Sequence, residues 1–157
     1  TDSLTGIYNR RYYDDYIQNA ENVQGIAMID VDNFKSINDN YGHSVGDIVL
    51  QKIAKKIVSC VRGTDAVVRY GGDEFAGIFY DMPSSVFERK LEIIRNHVNT
   101  LVLEDHPEIQ ISISVGGAYG RGQVKEIFKI ADKMMYQSKS KKNQVTVCFL
   151  NENKEEN

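Results

Sequence analysis

The sequence of 157 residues contains no tryptophan, only two prolines and only two cysteines. Two cysteines are too few for the disulfide framework of a small secreted domain, so we expect Cys60 and Cys148 to be small core residues in a reducing compartment. No apolar run is long enough to cross a membrane, and no signal peptide is recognisable. We therefore expect a cytoplasmic domain without membrane contact of its own. The motif-like start at Thr1 indicates a fragment of a longer protein, which can itself be membrane-anchored.

An excess of basic residues is also missing, because 19 Lys and Arg face 22 Asp and Glu, for a net charge of -3. This balance argues against nucleic-acid binding, which requires a basic face, but it permits a small phosphorylated ligand. The GxGxxG and P-loop motifs are missing, and the three histidines have no zinc spacing. The stretch DVDNFKSIN is not an EF-hand loop, because Phe34 and Lys35 occupy positions that require a ligand and a glycine.

The hydrophobic pattern predicts one domain over residues 1–150 and a frayed polar tail over 151–157. It predicts helices over 8–18, 34–41, 44–62, 84–100 and 124–140, and strands over 25–32, 66–70, 75–80, 109–115 and 145–150. Strands and helices alternate but include a hairpin, so we expect an α/β (α+β) fold with a mixed central sheet flanked by helices. In helix 44–62, Ser44 and Asp47 fit a capping box.

The stretch RYGGDEF, residues 69–75, places two acids directly after two glycines in the predicted hairpin. If Asp73 converges with Asp30 of the strand-end stretch DVD, the two carboxylates repel by about 1 kcal/mol in water at ~4 Å. A bound cation reverses that repulsion, and carboxylate oxygens suit Mg²⁺ held together with substrate phosphates. Gly71 and Gly72 can take positive φ and let a ligand approach the backbone.

Each of these features also has a simpler local interpretation. A Gly-Gly-Asp hairpin is more often only a turn, and His43 on its own is more often structural than catalytic. Arg62 on its own can be a cation at a helix end, and the lysines of KSKK, residues 139–142, can be a solvated helix end that suits the helix dipole.

Taken together, four segments resemble the GGDEF domain of bacterial diguanylate cyclases, and the resemblance covers nearly the whole chain. They are DSLTGIYNRR (2–11), DVDNFKSINDNYGHSVGD (30–47), RYGGDEF (69–75) and ADKMMYQSK (131–139), in the order that the family has them. The resemblance implies a fold like the palm of nucleotide cyclases and polymerases. It also implies the condensation of two GTP molecules to cyclic di-GMP with release of pyrophosphate, in a homodimer because each domain binds one GTP.

The resemblance implies roles for the acids of the two central motifs. Asp30, the backbone carbonyl of Val31 and Asp73 correspond to the ligands of Mg²⁺ or Mn²⁺. Asp73 is also implied to help deprotonate the attacking 3′-hydroxyl, and Glu74 is the second catalytic acid of the signature.

The resemblance also implies a set of substrate-binding residues. Asn38 and Asp47 correspond to the residues that read the guanine edge, and Lys139 to a lysine that contacts the terminal phosphates. The other implied substrate-binding residues are Phe34, Gly71 and Gly72. The loop after Lys139 departs from the family: it is shorter than the usual Gly-Arg-Asn loop, and Lys142 lies near the usual arginine. Lysine is a point charge rather than a bidentate fork, so we expect looser phosphate binding.

The stretch RGTD resembles the product-inhibition site of the family, in which Arg62 and Asp65 bind cyclic di-GMP. Bidentate arginine suits both phosphate and a guanine edge. A second arginine that often assists falls on Ile93 in this chain, with Arg89 and Arg95 nearby as substitutes.

Three other functions compete with this one. The first is a silent receptor of GTP or cyclic di-GMP, but such members usually lose signature acids, and this chain keeps Asp30, Asp73 and Glu74. The second is a dimerisation module that does not bind GTP. The third is a different nucleotide preference, against which the retained Asp47 argues.

Overall fold

In the computed structural model, which describes residues 1–150, a six-stranded mixed sheet forms the centre of the molecule. The strands are β1 (Tyr8–Asn9), β2 (Val23–Val31), β3 (Ala66–Arg69), β4 (Glu74–Tyr80), β5 (Ile113–Tyr119) and β6 (Val145–Phe149). Their spatial order is β1-β3-β4-β2-β5-β6. The outer pairs β1–β3 and β5–β6 are parallel and the three inner pairs are antiparallel, which confirms the mixed sheet. The predicted tail lies outside the described residues.

Within residues 1–150, five α-helices accompany the sheet: α1 (Arg10–Tyr12), α2 (Phe34–Tyr41), α3 (His43–Cys60), α4 (Ser84–Asn99) and α5 (Val124–Lys139). The four longer ones confirm the predicted helices to within two residues at each end. The predicted helix over 8–18 is only partly right. Residues 8 and 9 form a strand, the Asn9 side chain accepts a bond from the Tyr12 amide at 3.0 Å, and α1 passes into a π-helical turn, Tyr13–Ile17.

Strand β2 is buried on both faces because helices cover both sides of the sheet. Ile26 and Met28 pack on one face against α5 and the π-helical turn. Ala27 and Ile29 pack on the opposite face against α3 and α4. This two-sided cover explains the continuous apolar run that ends in acids, and it places the end of β2 between helices.

The predicted strand over 109–115 is shifted, because β5 runs from Ile113 to Tyr119. Ile109 and Ile111 are buried, as their pattern indicated, but they precede the strand. The strand continues through Gly116, where an added Cβ would lie 1.9 Å from the Met135 amide nitrogen of α5. Glycine is unfavourable in strands, but where it occurs in one it often allows such a close approach of another backbone.

The predicted capping box at the start of α3 is wrong. Gly42, with φ 93°, is the N-cap, and no side chain within residues 1–150 caps this helix end. Gly42 joins two helices directly, because its amide donates to the Asn38 carbonyl at 2.8 Å and its carbonyl accepts from the Gly46 amide at 3.2 Å. Ser44 therefore lies inside the first turn, and Asp47 has no capping role there.

Both cysteines are free, as predicted, but they are only half-buried rather than core residues. Cys60 ends α3, where its Sγ lies 3.5 Å from Nδ1 of His97. Among residues 1–150, none of the helices has the length and apolar character needed to span a bilayer.

Candidate active site

The two acidic motifs meet where β2 ends and β4 begins. Asp30 lies opposite Glu74 in the antiparallel register, and the Val31 amide donates to the Asp73 carbonyl at 3.1 Å. The hairpin that carries Asp73 is thereby attached to the end of the central strand. The predicted convergence of Asp30 with Asp73 is confirmed, because their carboxylates lie close enough to shift the protonation of Asp30.

Asp30 is only 3% exposed and has an unusual environment for a carboxylate. Its Oδ2 contacts the ammonium of Lys139 at the end of α5. Its Oδ1 is buried and has no hydrogen-bond partner among the described residues. Burial raises the pKa of Asp30 to about 6; Lys139 opposes this shift and the neighbouring Asp73 carboxylate adds to it. One carboxylate oxygen is therefore left available to a ligand.

The arrangement fits a divalent cation that is bound together with a ligand. The unpartnered Asp30 Oδ1, the nearby Asp73 carboxylate and the Val31 carbonyl are all hard oxygen donors. No group of three or more His, Cys, Asp or Glu side chains within residues 1–150 forms a metal site by itself. Mg²⁺ typically uses one or two carboxylates and takes its other ligands from water and substrate phosphates.

The glycines of the hairpin act differently from the prediction. Among the glycines of residues 1–150, positive φ occurs at Gly6, Gly42, Gly120 and Gly122, so the hairpin does not use the positive φ that Gly71 and Gly72 can take. At Gly71 a Cβ would lie 2.7 Å from Glu74 Oε1, and at Gly72 it would meet no heavy atom of the described chain within 4 Å. Both glycines therefore act by leaving space.

Sequence reasoning missed Arg69, which fixes this hairpin. Its guanidinium donates to the Gly72 carbonyl at 2.8 Å and to both carboxylate oxygens of Asp2 at 3.2 and 3.3 Å. The arginine thereby ties the open turn to the N-terminal segment. The signal was available in the motifs DSLT and RYGGDEF, which each contain one member of the pair.

Glu74, the second acid of the signature, is half-buried beside the hairpin. Burial raises its pKa, and the charges of Asp73 and of Asp132 on α5 add to this effect. Its Oε1 occupies the space next to Gly71. The raised pKa indicates a carboxylate that is held among like charges, which is a feature of functional sites.

The residues predicted to read guanine lie where α2 meets α3. Asn38 Oδ1 is buried and has no partner within residues 1–150. It fills the space beside Gly46, where an added Cβ would lie 1.9 Å from it and 3.3 Å from the Phe34 ring. Asp47, the next residue along, is exposed. The structure brings Asn38, Phe34 and the first turn of α3 together, and it adds Gly46, which the sequence reasoning missed.

Two lysines, Lys139 at the end of α5 and Lys142 in the following loop, both contact this end of the sheet. Lys139 contacts Asp30, and Lys142 donates to the side-chain oxygen of Asn33, just before α2. The hydrogen bond to Asp30 raises the pKa of Lys139, which keeps the ammonium charged. The predicted contacts of these lysines with phosphates stay predictions.

The RGTD stretch lies at the opposite end of β4 from the hairpin. The Arg62 guanidinium binds Asp65 at 2.9 and 3.1 Å and also donates to the Tyr80 carbonyl. The Arg62 side chain is 44% exposed, whereas that of Asp65 is 1% exposed. Both line a cleft of about 360 Å³. The arginine follows α3 rather than ending it.

Arg89 and Arg95, the two candidates for the missing second arginine, both lie on α4 but have different environments. Arg95 donates to Glu92 at 3.1 Å and to the Asn143 side chain at 2.9 Å. Arg89 is exposed, and Ile93 is 38% exposed. Arg95 therefore contacts the loop that follows α5, which leaves Arg89 as the exposed candidate of the two.

Comparison with known proteins places this geometry in a family. The family model described as "Diguanylate cyclase, GGDEF domain" matches residues 1–144. Diguanylate cyclase A of Treponema denticola is 41% identical over 78% of the chain and 34% of its own length. The probable diguanylate cyclase DgcC of Escherichia coli K12 is 35% identical over 88% of the chain and 40% of its own length. The chain thus spans well under half of these relatives.

A solved structure agrees with this match. The coiled coil and GGDEF domain of DgcB from Caulobacter crescentus, in complex with c-di-GMP, superimposes with a TM-score of 0.88 at 32% identity. The match covers 94% of this chain and 85% of that one. The palm-like fold is therefore confirmed. With two convergent acids at the GGDEF hairpin and a family match over most of its length, the chain belongs to the GGDEF domain family of diguanylate cyclases.

Proposed function

We propose that this domain condenses two GTP molecules to cyclic di-GMP and releases pyrophosphate. The observation that carries the proposal is the pairing of Asp30 with Asp73, with Asp30 Oδ1 buried and unpartnered within the described chain. A carboxylate oxygen kept dry and unsatisfied costs free energy unless a ligand uses it. The same acids define the family to which the chain belongs.

The metal of the proposal is Mg²⁺ or Mn²⁺, which Asp30, the Val31 carbonyl and Asp73 would hold together with GTP phosphates. Diguanylate cyclases generally use a divalent metal, which neutralises triphosphate charge and lowers the pKa of an attacking hydroxyl. The chain's own residues then position the substrate. Lys139 is freed from Asp30 to contact the terminal phosphates, and the space at Gly72 admits the ligand.

Guanine recognition in the proposal depends on Asn38 and Asp47. The buried Asn38 oxygen accepts from a donor of the base, and the exposed Asp47 carboxylate accepts from the guanine N1–H and exocyclic amine. The Phe34 ring lies beside this position, because it is 3.3 Å from where a Cβ on Gly46 would be. Because adenine lacks the N1–H donor, the acceptor pair favours guanine.

Two domains must face each other for the two attacks, so the proposed active species is a homodimer working in the cytoplasm. Each domain presents one substrate at its hairpin, and each 3′-hydroxyl attacks the α-phosphate held by the partner domain. Glu74 lies beside Asp73 with a raised pKa, which suits an acid that shares in proton movement.

The test is to incubate the domain at high concentration with GTP and Mg²⁺ and to identify the product by mass. We expect cyclic di-GMP and pyrophosphate from the wild type, none from Asp73→Ala, and wild-type yield from the matched control Asp105→Ala, an exposed acid in the segment between α4 and β5. Wild-type yield from folded Asp73→Ala would exclude the assignment. Binding of GTP without pyrophosphate release would instead indicate a silent receptor.

Product binding at Arg62 and Asp65 is part of the proposal. Buried Asp65 holds the exposed guanidinium in a fixed plane beside the cleft, which leaves its edge available to phosphate or guanine. The relative DgcB has a structure in complex with c-di-GMP. Calorimetry with cyclic di-GMP tests this role: we expect Arg62→Ala to weaken binding at least tenfold, about 1.4 kcal/mol, and unchanged affinity would remove it.

A further inference from the structure

Asp32 is a second buried acid near the site, and although it lies in the DVD motif, neither the sequence reasoning nor the proposed chemistry gives it a role. It follows β2 and is 4% exposed. Its Oδ1 accepts from Ser114 Oγ at 2.5 Å, and its Oδ2 accepts from Ser112 Oγ at 2.6 Å and from the Asn143 amide at 2.8 Å. All three partners donate to this carboxylate, so it is fully satisfied by the protein and is not an open ligand.

The Asn143 amide belongs to a loop with an unfavourable backbone. Lys142 and Asn143 both have positive φ, 61° and 50°. Asparagine tolerates this conformation, but lysine rarely adopts it and glycine is the usual residue there. The loop therefore needs contacts that hold it in place, and Asp32 supplies one to the backbone itself.

This loop connects α5 to β6 and contacts the proposed substrate site. Lys139, three residues before Lys142, contacts Asp30, and Lys142 reaches Asn33 at the start of α2. From the other side, Arg95 of α4 donates to the Asn143 side chain at 2.9 Å. The backbone position of the loop thus determines where the Lys142 ammonium lies, at Asn33 just before α2.

We propose that Asp32 is a positioning residue, which holds the left-handed Lys142–Asn143 backbone so that Lys142 faces the terminal phosphates of the nucleotide, alongside Lys139 of α5. This inference deepens the proposed function and depends on it for the identity of the nucleotide. The backbone contact itself is independent of that function. Because phosphate contacts at this end form with the bound substrate as well as during reaction, loss of Asp32 raises KM more than it lowers kcat.

The experiment compares Asp32→Ala with the matched control Ser112→Ala. The control removes another donor from the same Oδ2 but does not touch the loop. We expect Asp32→Ala to raise KM for GTP about tenfold, the effect of one charge-assisted hydrogen bond, with kcat within about threefold. We expect Ser112→Ala to leave both values within about twofold of the wild type.

A conservative variant and a second measurement sharpen the test. Asp32→Asn keeps one carbonyl oxygen for the Asn143 amide, and the Ser114 hydroxyl can turn to accept from the new amide group, so KM returns to within about threefold of wild type. Amide hydrogen exchange of residues 140–144 is measured in parallel. We expect at least tenfold faster exchange at Asn143 in Asp32→Ala and unchanged exchange in Ser112→Ala.

Each outcome decides the proposal. Unchanged exchange at Asn143 in Asp32→Ala, an equal rise of KM in Ser112→Ala, or a fall of kcat at constant KM would each overturn it. If the wild type makes no cyclic di-GMP, the proposed function fails, while the exchange measurement still tests the loop contact. If Asp32→Ala does not fold, Asp32→Ser replaces it. The serine side chain is too short to reach the Asn143 amide, so we expect the same rise in KM and the same faster exchange.

Discussion

Lys139 contacts one oxygen of Asp30 and leaves the other oxygen, Oδ1, buried and without a partner in the described part of the chain. The lysine therefore compensates the charge of the aspartate without satisfying its hydrogen-bonding capacity. A buried carboxylate with an unsatisfied oxygen binds either a proton or a cation. Without a cation it binds a proton more readily, and the pKa of Asp30 is therefore raised to about 6.

The first prediction concerns pH. Since the pKa of Asp30 is about 6 in the folded chain and 3.8 as an ordinary value, the folded state holds its proton more tightly. The stability contributed by that proton is present below pH 3.8 and is lost as pH rises through 6. We expect the free energy of unfolding, relative to Asp30→Asn, to fall by up to about 3 kcal/mol over this window.

Urea denaturation without divalent metal, at several pH values between 4 and 7, measures this difference. Asp105→Asn, which removes an exposed carboxylate, is the control. A difference between wild type and Asp30→Asn that stays constant with pH would contradict the prediction.

The second prediction concerns the hairpin support. Arg69→Ala removes the contacts to Asp2 and to the Gly72 carbonyl, and the pair is only 18% and 17% exposed. We expect a loss of about 1–3 kcal/mol in the free energy of unfolding. Arg11→Ala, from a pair that is 89% and 55% exposed, should change it by less than about 0.5 kcal/mol. Equal effects in the two variants would show that Arg69 does not support the turn.

The third prediction contrasts two glycines. Gly116→Ala places a Cβ 1.9 Å from the Met135 amide and 2.3 Å from the Ala131 carbonyl, so α5 must move away from β5. We expect a loss of more than about 3 kcal/mol or failure to fold. Gly72→Ala meets no heavy atom within 4 Å in residues 1–150, so stability should change by less than about 1 kcal/mol. Thermal unfolding checks both, and a stable Gly116→Ala would contradict the packing.

The fourth prediction concerns Gly46. A Cβ there would lie 1.9 Å from Asn38 Oδ1, and the asparagine side chain must turn away. If Asn38 reads guanine, Gly46→Ala weakens GTP binding about as much as Asn38→Ala, roughly tenfold for a lost hydrogen bond. Calorimetry with GTP measures both. Gly63→Ala, an open position near the other end of β4, is the control and should bind normally. Wild-type affinity for GTP in Gly46→Ala would show that Asn38 does not bind the guanine base.

The longer helices could be predicted from sequence because their buried residues recur with the helical period, and β2 because it is a continuous apolar run. The proximity of Asp30 and Asp73 could be predicted because each residue lies in a family motif. Strand β5 was misplaced because Gly116 disfavours strands locally, and only the approach of α5 explains it. The contact of Asp32 with Asn143 joins distant residues that share no motif, so no local pattern reveals it. The contact of Arg69 with Asp2 is equally distant, and its only signal is that each residue lies in a family motif.

The position of Asp30 on the central strand has a consequence for how the protein folds. Asp30 lies opposite Glu74 on one side and Ser114 on the other, both far along the chain. Closing such long loops is slow, and topologies with distant contacts fold more slowly than those with local ones. The acids therefore come together only when the whole sheet has assembled, so a nascent or partly unfolded chain has no competence for nucleotide chemistry.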